Sequence, residues 1–433
     1  MEMTIKMDTK ISDRYIEILK EELVPALGCT EPIAIAYIAA KARDILGDFP
    51  EKVLLKCSGN IFKNARSVTV PNTEGLIGIR AGMLAGLVGG KANKEMEVLS
   101  QLTKDDLVVI KKLLDCNFGE LELLQTEINL HLIMIAKAGR DSVLVEIKHN
   151  HTNICRIEKN GKCIYQNDDN PNKYLGSFTD RSILSVNGIY EFANTVPLKA
   201  LGDLITKQID YNIKIAEEGL KGNYGVNIGQ TLLDIGGSGD ARLQTKLKAY
   251  TAAASEARMS GCALPVITNS GSGNQGIATS IPVIVYAREQ KLSQEKLYRG
   301  LVLSNLLTIH QKTLIGRLSA FCGGVSASCS SGAAITYLAG GSLEAINLTI
   351  SNTLANVSGI ICDGAKPSCA AKIASSLDAA YMSHVLAMNG RCYQPGDGIL
   401  RNNIEETIAA VGRIACKGMK NTDTEIIKIM LEY

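Results

Sequence analysis

Apolar residues recur at helical spacing over residues 11–46, and this pattern is interrupted by the segment ALGCTEP. Proline is tolerated in the first turn of a helix, and Thr30 is a good N-cap, so a helix is predicted to begin just before Pro32. Cys29 would then lie at the positively polarised end of that helix. We expect these N-terminal helices, residues 1–48, to pack on the helical domain that the rest of the chain predicts.

The pattern changes to alternating β-branched and polar residues between residues 49 and 170. Five runs predict strands. They are VLLKCSG, RSVTVP, LELLQTE, SVLVEIKHN and ICRIEKNGKCIYQ. Segments 74–90 and 95–115 predict helices between them. Residues 49–170 therefore predict an inserted α+β domain with a mostly antiparallel sheet.

Residues 182–433 are helical in pattern, with short Gly/Ser turns between the apolar runs. A polar connection at 166–181 marks the boundary with the preceding domain. The predicted fold class is therefore α+β, an all-helical domain plus an inserted α+β domain.

Charge and composition exclude several function classes. The 46 basic and 44 acidic residues leave a net charge of +2, without a clustered basic face, so we expect no nucleic-acid partner. Met1–Lys10 lacks the apolar stretch of a secretory signal, which favours a cytoplasmic protein. The apolar run Leu318–Leu343 is long enough to span a membrane, but its many Gly and Ser residues favour a buried core, and we expect no membrane partner.

The cysteines offer the first candidate chemistry. Twelve cysteines in a large chain without export signals are not expected to form disulfides, and the absence of CxxC excludes a zinc ribbon or a ferredoxin-type run. Cys322 with Cys329 and Cys362 with Cys369 lie in a stretch nearly free of charge. Seven residues along a helix separate Cα atoms by roughly 10 Å, so spacing alone does not choose the ligands. A buried centre of soft thiolates and plain core cysteines both remain open.

The segment SGSGNQG at 270–276 contains a GxGxxG pattern after the strand-like run ALPVIT. A dinucleotide site is one interpretation, with Glu289 near the distance of a ribose contact. Pro282 and the helical surroundings weigh against it. A Ser/Gly/Asn loop with free backbone N–H groups is also a good cradle for a carboxylate, and a flexible turn is the third interpretation. The candidate substrate-binding residues are Asn269, Ser270, Gly271, Ser272, Gly273 and Asn274.

Four segments together carry a resemblance to a known family. They are ALGCTEP at 26–32, SGSGNQG at 270–276, LSAFCGG at 318–324 and CDGAKPSC at 362–369. In this order, and over almost the whole chain, they resemble the L-cysteine desulfidase family, which is distantly similar to iron-sulfur L-serine dehydratases.

The resemblance implies a 4Fe-4S cluster held by three cysteines, with one iron left open, and a further cysteine acting as base. Matched by motif, the ligands would be Cys322, Cys362 and Cys369, and the base would be Cys29. Cys329 is then an extra thiol, which we expect to be a neutral packing residue rather than a reserve ligand. The all-helical domain would be the catalytic one.

The implied reaction is β-elimination of L-cysteine to sulfide, ammonia and pyruvate by an oxygen-sensitive lyase that does not use pyridoxal phosphate. The open iron would act as a Lewis acid on the substrate sulfur. A helix N-terminus lowers a thiol pKa, so Cys29 is expected to be largely thiolate at neutral pH. An L-serine dehydratase is the first alternative. A structural or redox-sensing metal protein is the second, and a fourth ligand from Cys329 would favour it.

The remaining expectations concern single residues and assembly. Glu31 would complement the helix dipole, His310 would be a hydrogen-bonded core histidine, and His149 and His151 would be surface residues. The α+β domain is expected to close over the site. It would contribute residues such as Asn64, Arg66 or Asn72. We expect a homo-oligomer, with a homodimer as the simplest case.

Overall fold

The computed structural model describes residues 8–167, 179–236, 239–316 and 319–432. The helices are α1 (Thr9–Glu22), α2 (Thr30–Leu46), α3 (Gly59–Ala65), α4 (Ile79–Gly89), α5 (Lys104–Asp115), α6 (Val186–Thr195), α7 (Leu204–Lys221), α8 (Ile228–Asp234), α9 (Asp240–Met259), α10 (Gly273–Glu289), α11 (Gln294–Ile315), α12 (Gly323–Leu338), α13 (Leu343–Asn356), α14 (Cys369–Met388), α15 (Ile404–Arg413) and α16 (Lys420–Leu431). The strands are β1 (Pro25–Leu27), β2 (Lys52–Cys57), β3 (Glu120–Leu123), β4 (His131–Ala138), β5 (Asp141–Lys148), β6 (Ile154–Lys159), β7 (Lys162–Gln166) and β8 (Pro265–Ile267).

Six strands form one sheet in the order β3-β2-β4-β5-β6-β7. The pairing of β2 with β3 is parallel, and the other pairings are antiparallel. Successive side chains of a strand point to opposite faces, and Leu132, Met134 and Ala136 of β4 are accordingly buried on one face. The predicted α+β class with a mostly antiparallel sheet is confirmed. The central strand β4 was missing from the prediction.

The run RSVTVP is not a strand, although its β-branched residues predicted one. It makes a single isolated bridge, Thr69 to Ile77. Pro71 has no N–H to donate to a ladder, and Asn72 and Glu74 have positive φ values of 59° and 54°, which turn the chain back on itself. The segment is therefore a loop, and it covers the start of α2.

Buried residues form two large hydrophobic cores. Tyr15, Ile18 and Leu19 of α1 belong to the core of the helical part. Ile33 and Ile38 of α2 belong to the core beneath the sheet. The expectation that residues 1–48 pack on the helical domain is therefore wrong for α2. This helix is apolar on nearly all sides, and a helix of that kind is buried between other elements. Here those elements are the sheet and α4.

The Gly/Ser-rich segment predicted to be core forms α12, which is buried from Gly324 to Thr336. Small residues allow close helix approach, and a Cβ at Gly332 would lie 2.9 Å from Cβ of Ala380 on α14. Across the described ranges, no helix has the length and apolar character needed to cross a membrane. Most of the predicted connection at 166–181 lies outside the described residues.

A small second sheet joins two distant motifs. Strands β1 and β8 pair antiparallel, with Pro25 opposite Ile267, and Thr268 N donates to Val24 O at 2.9 Å. Strand β1 leads into Cys29, and β8 leads into the SGSGNQG loop. This pairing places the two segments beside each other, although they lie far apart in sequence.

Candidate active site

A cavity of ≈ 980 Å³ lies between the helical part and the sheet-bearing part. The N-termini of α2, α10, α12 and α14 converge on it. Their first turns contribute lining residues, namely Cys29, Thr30, Glu31, Ser272, Asn274, Gln275, Cys322, Gly323, Gly324 and Cys369. Each N-terminus carries a partial positive charge and free N–H groups, so the cavity favours anions.

Cys29 is the N-cap of α2 and is 2% exposed. Its position depends on Gly28, which has φ +62° and lies so close to the covering loop that a Cβ would be 2.0 Å from Cγ of Pro71. Cys29 Sγ donates to Glu31 Oε2 at 3.0 Å, and Thr30 Oγ1 donates to the same oxygen at 3.0 Å. Glu31 is thus a buried acceptor for the thiol rather than only a partner of the helix dipole.

The surroundings of Cys29 disfavour the thiolate that the sequence predicted. Burial raises the pKa of Cys29 well above its ordinary value, and the negative charge of Glu31 raises it further, while Arg258 opposes the shift. Removing the charged form from water outweighs the helix N-terminus at this position. Cys29 must therefore lose a proton before it can act as a base, and Glu31 Oε2 is placed to receive it.

Cys322 and Cys362 are held side by side by a backbone bridge. Phe321 pairs with Ile361, and Cys322 N donates to Ile360 O at 2.8 Å while Cys362 N donates to Ala320 O at 2.6 Å. Cys369 follows as the first residue of α14, where the turn at Gly364–Ser368 folds it back toward Cys362. All three thiols line the cavity.

These three thiols interact electrostatically. Burial raises the pKa of Cys322 to about 12, and Cys362 and Cys369 add to the shift. Burial also raises the pKa of Cys369, with Cys362 contributing, while Lys366 and Lys372 act in the opposite direction. Negative charge at Cys362 thus disfavours the thiolates of Cys322 and Cys369, and a positively charged group bound among the three sulfurs would relieve this repulsion.

Cys329 is separated from this group. It is completely buried on α12 in the helical core, and Sγ is 3.9 Å from Ile350 O. Burial raises its pKa to about 12. Cys322 precedes the helix in extended conformation, so the seven-residue spacing does not bring the two sulfurs to one face. Cys329 occupies a packing position.

The residues present fit an iron-sulfur cluster better than a single ion. Within the described ranges, no three His, Cys, Asp or Glu side chains converge tightly enough to hold one metal ion. A cluster of several atoms keeps its ligating sulfurs further apart than one ion does. Three cavity-lining thiols, with two small glycines at 323 and 324 beside them, supply the donor chemistry and the space that such a cluster needs.

The SGSGNQG loop is a tight turn that starts α10. Ser270 and Gly271 both have positive φ, at 51° and 76°, and Asn269 N donates to Ser272 O at 3.1 Å. This is the geometry of a type I′ turn. The dinucleotide interpretation is wrong, because β8 pairs antiparallel with β1 and no parallel βαβ unit surrounds the motif.

The candidate substrate-binding residues of this loop divide into two groups. Ser270, Gly271, Ser272 and Asn274 line the cavity. Asn269 faces away, since its amide donates to Asn305 Oδ1 at 3.0 Å inside the helical core. Gly273 lies behind the guanidinium of Arg258, a residue that the sequence did not single out. Because Gly273 has no side chain, it leaves room for this guanidinium.

Sequence reasoning missed Arg258 and Gln275, and undervalued Glu31. All three are buried and line the cavity. Glu31 could have been found from its place next to Cys29. Arg258 lies near the end of an otherwise ordinary helical sequence and Gln275 in the first turn of α10, and neither had a pattern that distinguished it.

The sheet-bearing part forms the opposite wall. Asn64 lines the cavity as predicted, whereas Arg66 lies over the Phe62 ring at 5.5 Å and Asn72 donates to Leu99 O at 3.0 Å. His149 and His151 are half-buried and line the cavity, so their prediction as surface residues is wrong.

His310 also borders the cavity from the helical part. It is 7% exposed, and Nε2 lies 2.7 Å from Glu405 Oε2. The predicted hydrogen-bonded core histidine is confirmed.

Comparison with known proteins identifies the family of this chain. The chain belongs to the serine dehydratase alpha chain family, whose model matches residues 92–428. Membership indicates a serine dehydratase-like lyase.

At closer range the chain is similar over nearly its full length to three bacterial UPF0597 proteins. The relative from Treponema denticola is 49% identical over 99% of this chain and 100% of its own length. The relative from Lachnoclostridium phytofermentans is 51% identical over 96% of this chain and 99% of its own length. The relative from Shewanella oneidensis is 38% identical over 97% of this chain and 99% of its own length.

Proposed function

We propose that this protein is an iron-sulfur-dependent L-cysteine desulfidase, which converts L-cysteine and water to hydrogen sulfide, ammonia and pyruvate. The observation that carries the proposal is the convergence of Cys29 with Cys322, Cys362 and Cys369 on one cavity at four helix N-termini. Membership of the serine dehydratase family supports a β-elimination at this cavity.

Cys322, Cys362 and Cys369 would hold a 4Fe-4S cluster. When bound, the cluster would supply a Lewis acid that stabilises negative charge on the leaving group. Small residues beside the thiols leave the cavity open in front of them, and Lys366 and Lys372 add positive charge nearby. The chain's own residues then have the task of binding the amino acid and moving its protons.

Cys29 is the proposed base. Its sulfur transfers its proton to Glu31 Oε2, 3.0 Å away, and then takes the proton from Cα of the substrate. The electron pair of the Cα–H bond forms the Cα–Cβ double bond while the Cβ–S bond breaks and sulfide leaves. The aminoacrylate product tautomerises to an imine, which water hydrolyses to pyruvate and ammonia. The nearly complete burial of Cys29 keeps bulk water from the sulfur during proton transfer.

L-serine dehydration is the second candidate, because the matching family model is that of serine dehydratase. The same proton transfer at Cys29 would then expel hydroxide instead of sulfide. A purely structural metal site has less support. Such sites are usually closed by four ligands, and Cys329, the extra cysteine, lies in the helical core instead of the cavity.

The test is a direct comparison of the two amino acids with full-length protein purified without oxygen. Iron and acid-labile sulfide content and the visible absorption spectrum establish the cluster. Pyruvate release is then measured with L-cysteine and with L-serine. We expect a higher kcat/KM for L-cysteine. Equal or better turnover of L-serine would assign the protein as a dehydratase, and iron-free protein with full activity would exclude both.

A further inference from the structure

Arg258 is a buried cation at the cavity, and it has no anionic partner among the residues that the structure describes. It lies near the C-terminal end of α9, is 2% exposed and lines the cavity. Nη1 donates to the neutral Asn274 Oδ1 at 3.1 Å. Nε has no acceptor among the described residues, and none of their carboxylates forms an ion pair with the guanidinium. Since a buried charge is costly unless it is paired, this arrangement favours the binding of an anion beside the guanidinium.

The surroundings of Arg258 add to the positive charge. The guanidinium lies across the first residue of α10, where a Cβ on Gly273 would be 2.3 Å from Nε. Helix α10 has 17 residues, so its N-terminus carries a substantial partial positive charge and several free N–H groups. A cation at this end of a helix is unfavourable. Two positive groups held together at a cavity wall favour the binding of an anion there.

The carboxylate of Glu31 is not the anionic partner of Arg258. Glu31 Oε2 already accepts from Cys29 Sγ and Thr30 Oγ1, and Arg258 makes no ion pair with it. Arg258 is nevertheless near enough to Cys29 to oppose the rise in its pKa. Arg258 and the proposed base therefore lie near each other at the same cavity.

We propose that Arg258 binds the α-carboxylate of the amino-acid substrate, together with the free N–H groups in the first turn of α10. The inference rests on the proposed function for the identity of the ligand as an amino acid. The planar guanidinium can hold a carboxylate through two parallel hydrogen bonds, which a lysine cannot reproduce. Anchored in this way beside Cys29, the substrate presents its Cα–H bond to the sulfur. Arg258 is thus a substrate-binding residue, and it sets specificity for a free carboxylate.

The test is binding of L-alanine, which has the amino and carboxylate groups of the substrate but no leaving group. L-Alaninamide, which lacks the negative charge, is the matched probe. Both are titrated calorimetrically into full-length protein prepared without oxygen. We expect wild type to bind L-alanine more tightly than L-alaninamide. Arg258→Met should weaken L-alanine binding roughly 10- to 100-fold and leave L-alaninamide unchanged.

Two further variants make the test specific. Arg258→Lys keeps the charge and should give an intermediate loss; it also decides the matter if Arg258→Met does not fold, as judged by circular dichroism. Arg288→Met, at the opposite and exposed end of α10, should bind L-alanine like wild type. Wild-type L-alanine affinity in folded Arg258→Met, or in Arg258→Lys if that is the folded variant, overturns the proposal, as does a wild type that does not distinguish the two probes.

The failure of the carboxylate site can be distinguished from the failure of the proposed function. If L-alanine binding depends on Arg258 but L-cysteine yields no sulfide, the carboxylate site stands and the desulfidase proposal fails. If sulfide is released with an unchanged KM for L-cysteine in folded Arg258 variants, the desulfidase stands and the carboxylate site fails.

Discussion

The two walls of the cavity are built in different ways. The helical wall presents helix N-termini that carry the thiols and the start of α10, and its positions are fixed by buried backbone pairings such as Phe321 with Ile361. The sheet-bearing wall presents Asn64 of the short helix α3 and two loops, the segment 127–130 before β4 and the turn at 149–151 after β5.

The helical wall thus carries groups that can react or bind an anion, whereas the sheet-bearing wall mainly encloses the cavity. Every helix N-terminus supplies positive potential and free N–H groups, so thiols and an anion site can lie at the same helix ends. Cys29 belongs to α2, whose body lies in the core of the sheet-bearing part. The proposed base is therefore carried by the sheet-bearing part and meets the three other thiols only when both parts of the molecule are in place.

The largest expected effect comes from removing a ligand on the helical wall. Cys362→Ala should lose its iron and its activity completely, because two remaining thiols do not hold a cluster. Cys329→Ala, with its sulfur in the helical core, should keep both and lose only about 1 kcal/mol of stability. Iron analysis and pyruvate release measure the pair. Iron loss confined to the Cys329 variant would assign the ligand set differently.

Removing the proposed base is the next largest effect. Cys29→Ser should keep the iron content and absorption of wild type, while kcat falls by roughly 100- to 10,000-fold, the usual contribution of a positioned base. Cys116→Ser is the control, since Cys116 is exposed and distant from the cavity. Wild-type kcat in Cys29→Ser would remove this residue from the mechanism.

A stability measurement tests how the two lobes are held together. Lys63 of α3 is 1% exposed and forms an ion pair with Asp423 of α16. Asp423→Asn leaves the lysine charge buried without a partner and should cost about 3 kcal/mol in urea unfolding. The exposed pair Lys420–Glu127 is the control, and Glu127→Gln should leave the urea midpoint unchanged. Similar midpoints for both variants would mean that α16 does not secure the sheet-bearing lobe.

The smallest effect is expected on the enclosing wall. Asn64→Ala should raise KM for the substrate by no more than about fivefold with kcat unchanged, since it removes at most one neutral hydrogen bond. Steady-state kinetics separate the two parameters. A loss of kcat comparable to that of Cys29→Ser would show that the chemistry extends to both walls.

Hydrophobic periodicity and short motifs were sufficient to predict much of the fold and of the candidate site. Alternation predicted most strands of the sheet, and helical spacing predicted the C-terminal helices. Proline and threonine placed the start of α2 within one residue, with Cys29 rather than Thr30 as the N-cap. These features depend on local chemistry, which a sequence displays directly.

The remaining features depend on tertiary contact. The RSVTVP run became a loop because Pro71 and the left-handed Asn72 outweighed β-branched propensity. The thiolate predicted at Cys29 is opposed by burial, which no local pattern reveals. Arg258 is important because of what surrounds it in space, and its own segment resembles any other buried helix.

Because Gly28 lies directly against Pro71, a substitution at residue 28 would open the loop that covers Cys29. Any side chain here would wedge the 66–78 loop away from the sulfur beneath it, since even a methyl group would overlap the proline ring. Solvent and dissolved oxidants would then reach Cys29, whose protection depends on a missing side chain one residue away.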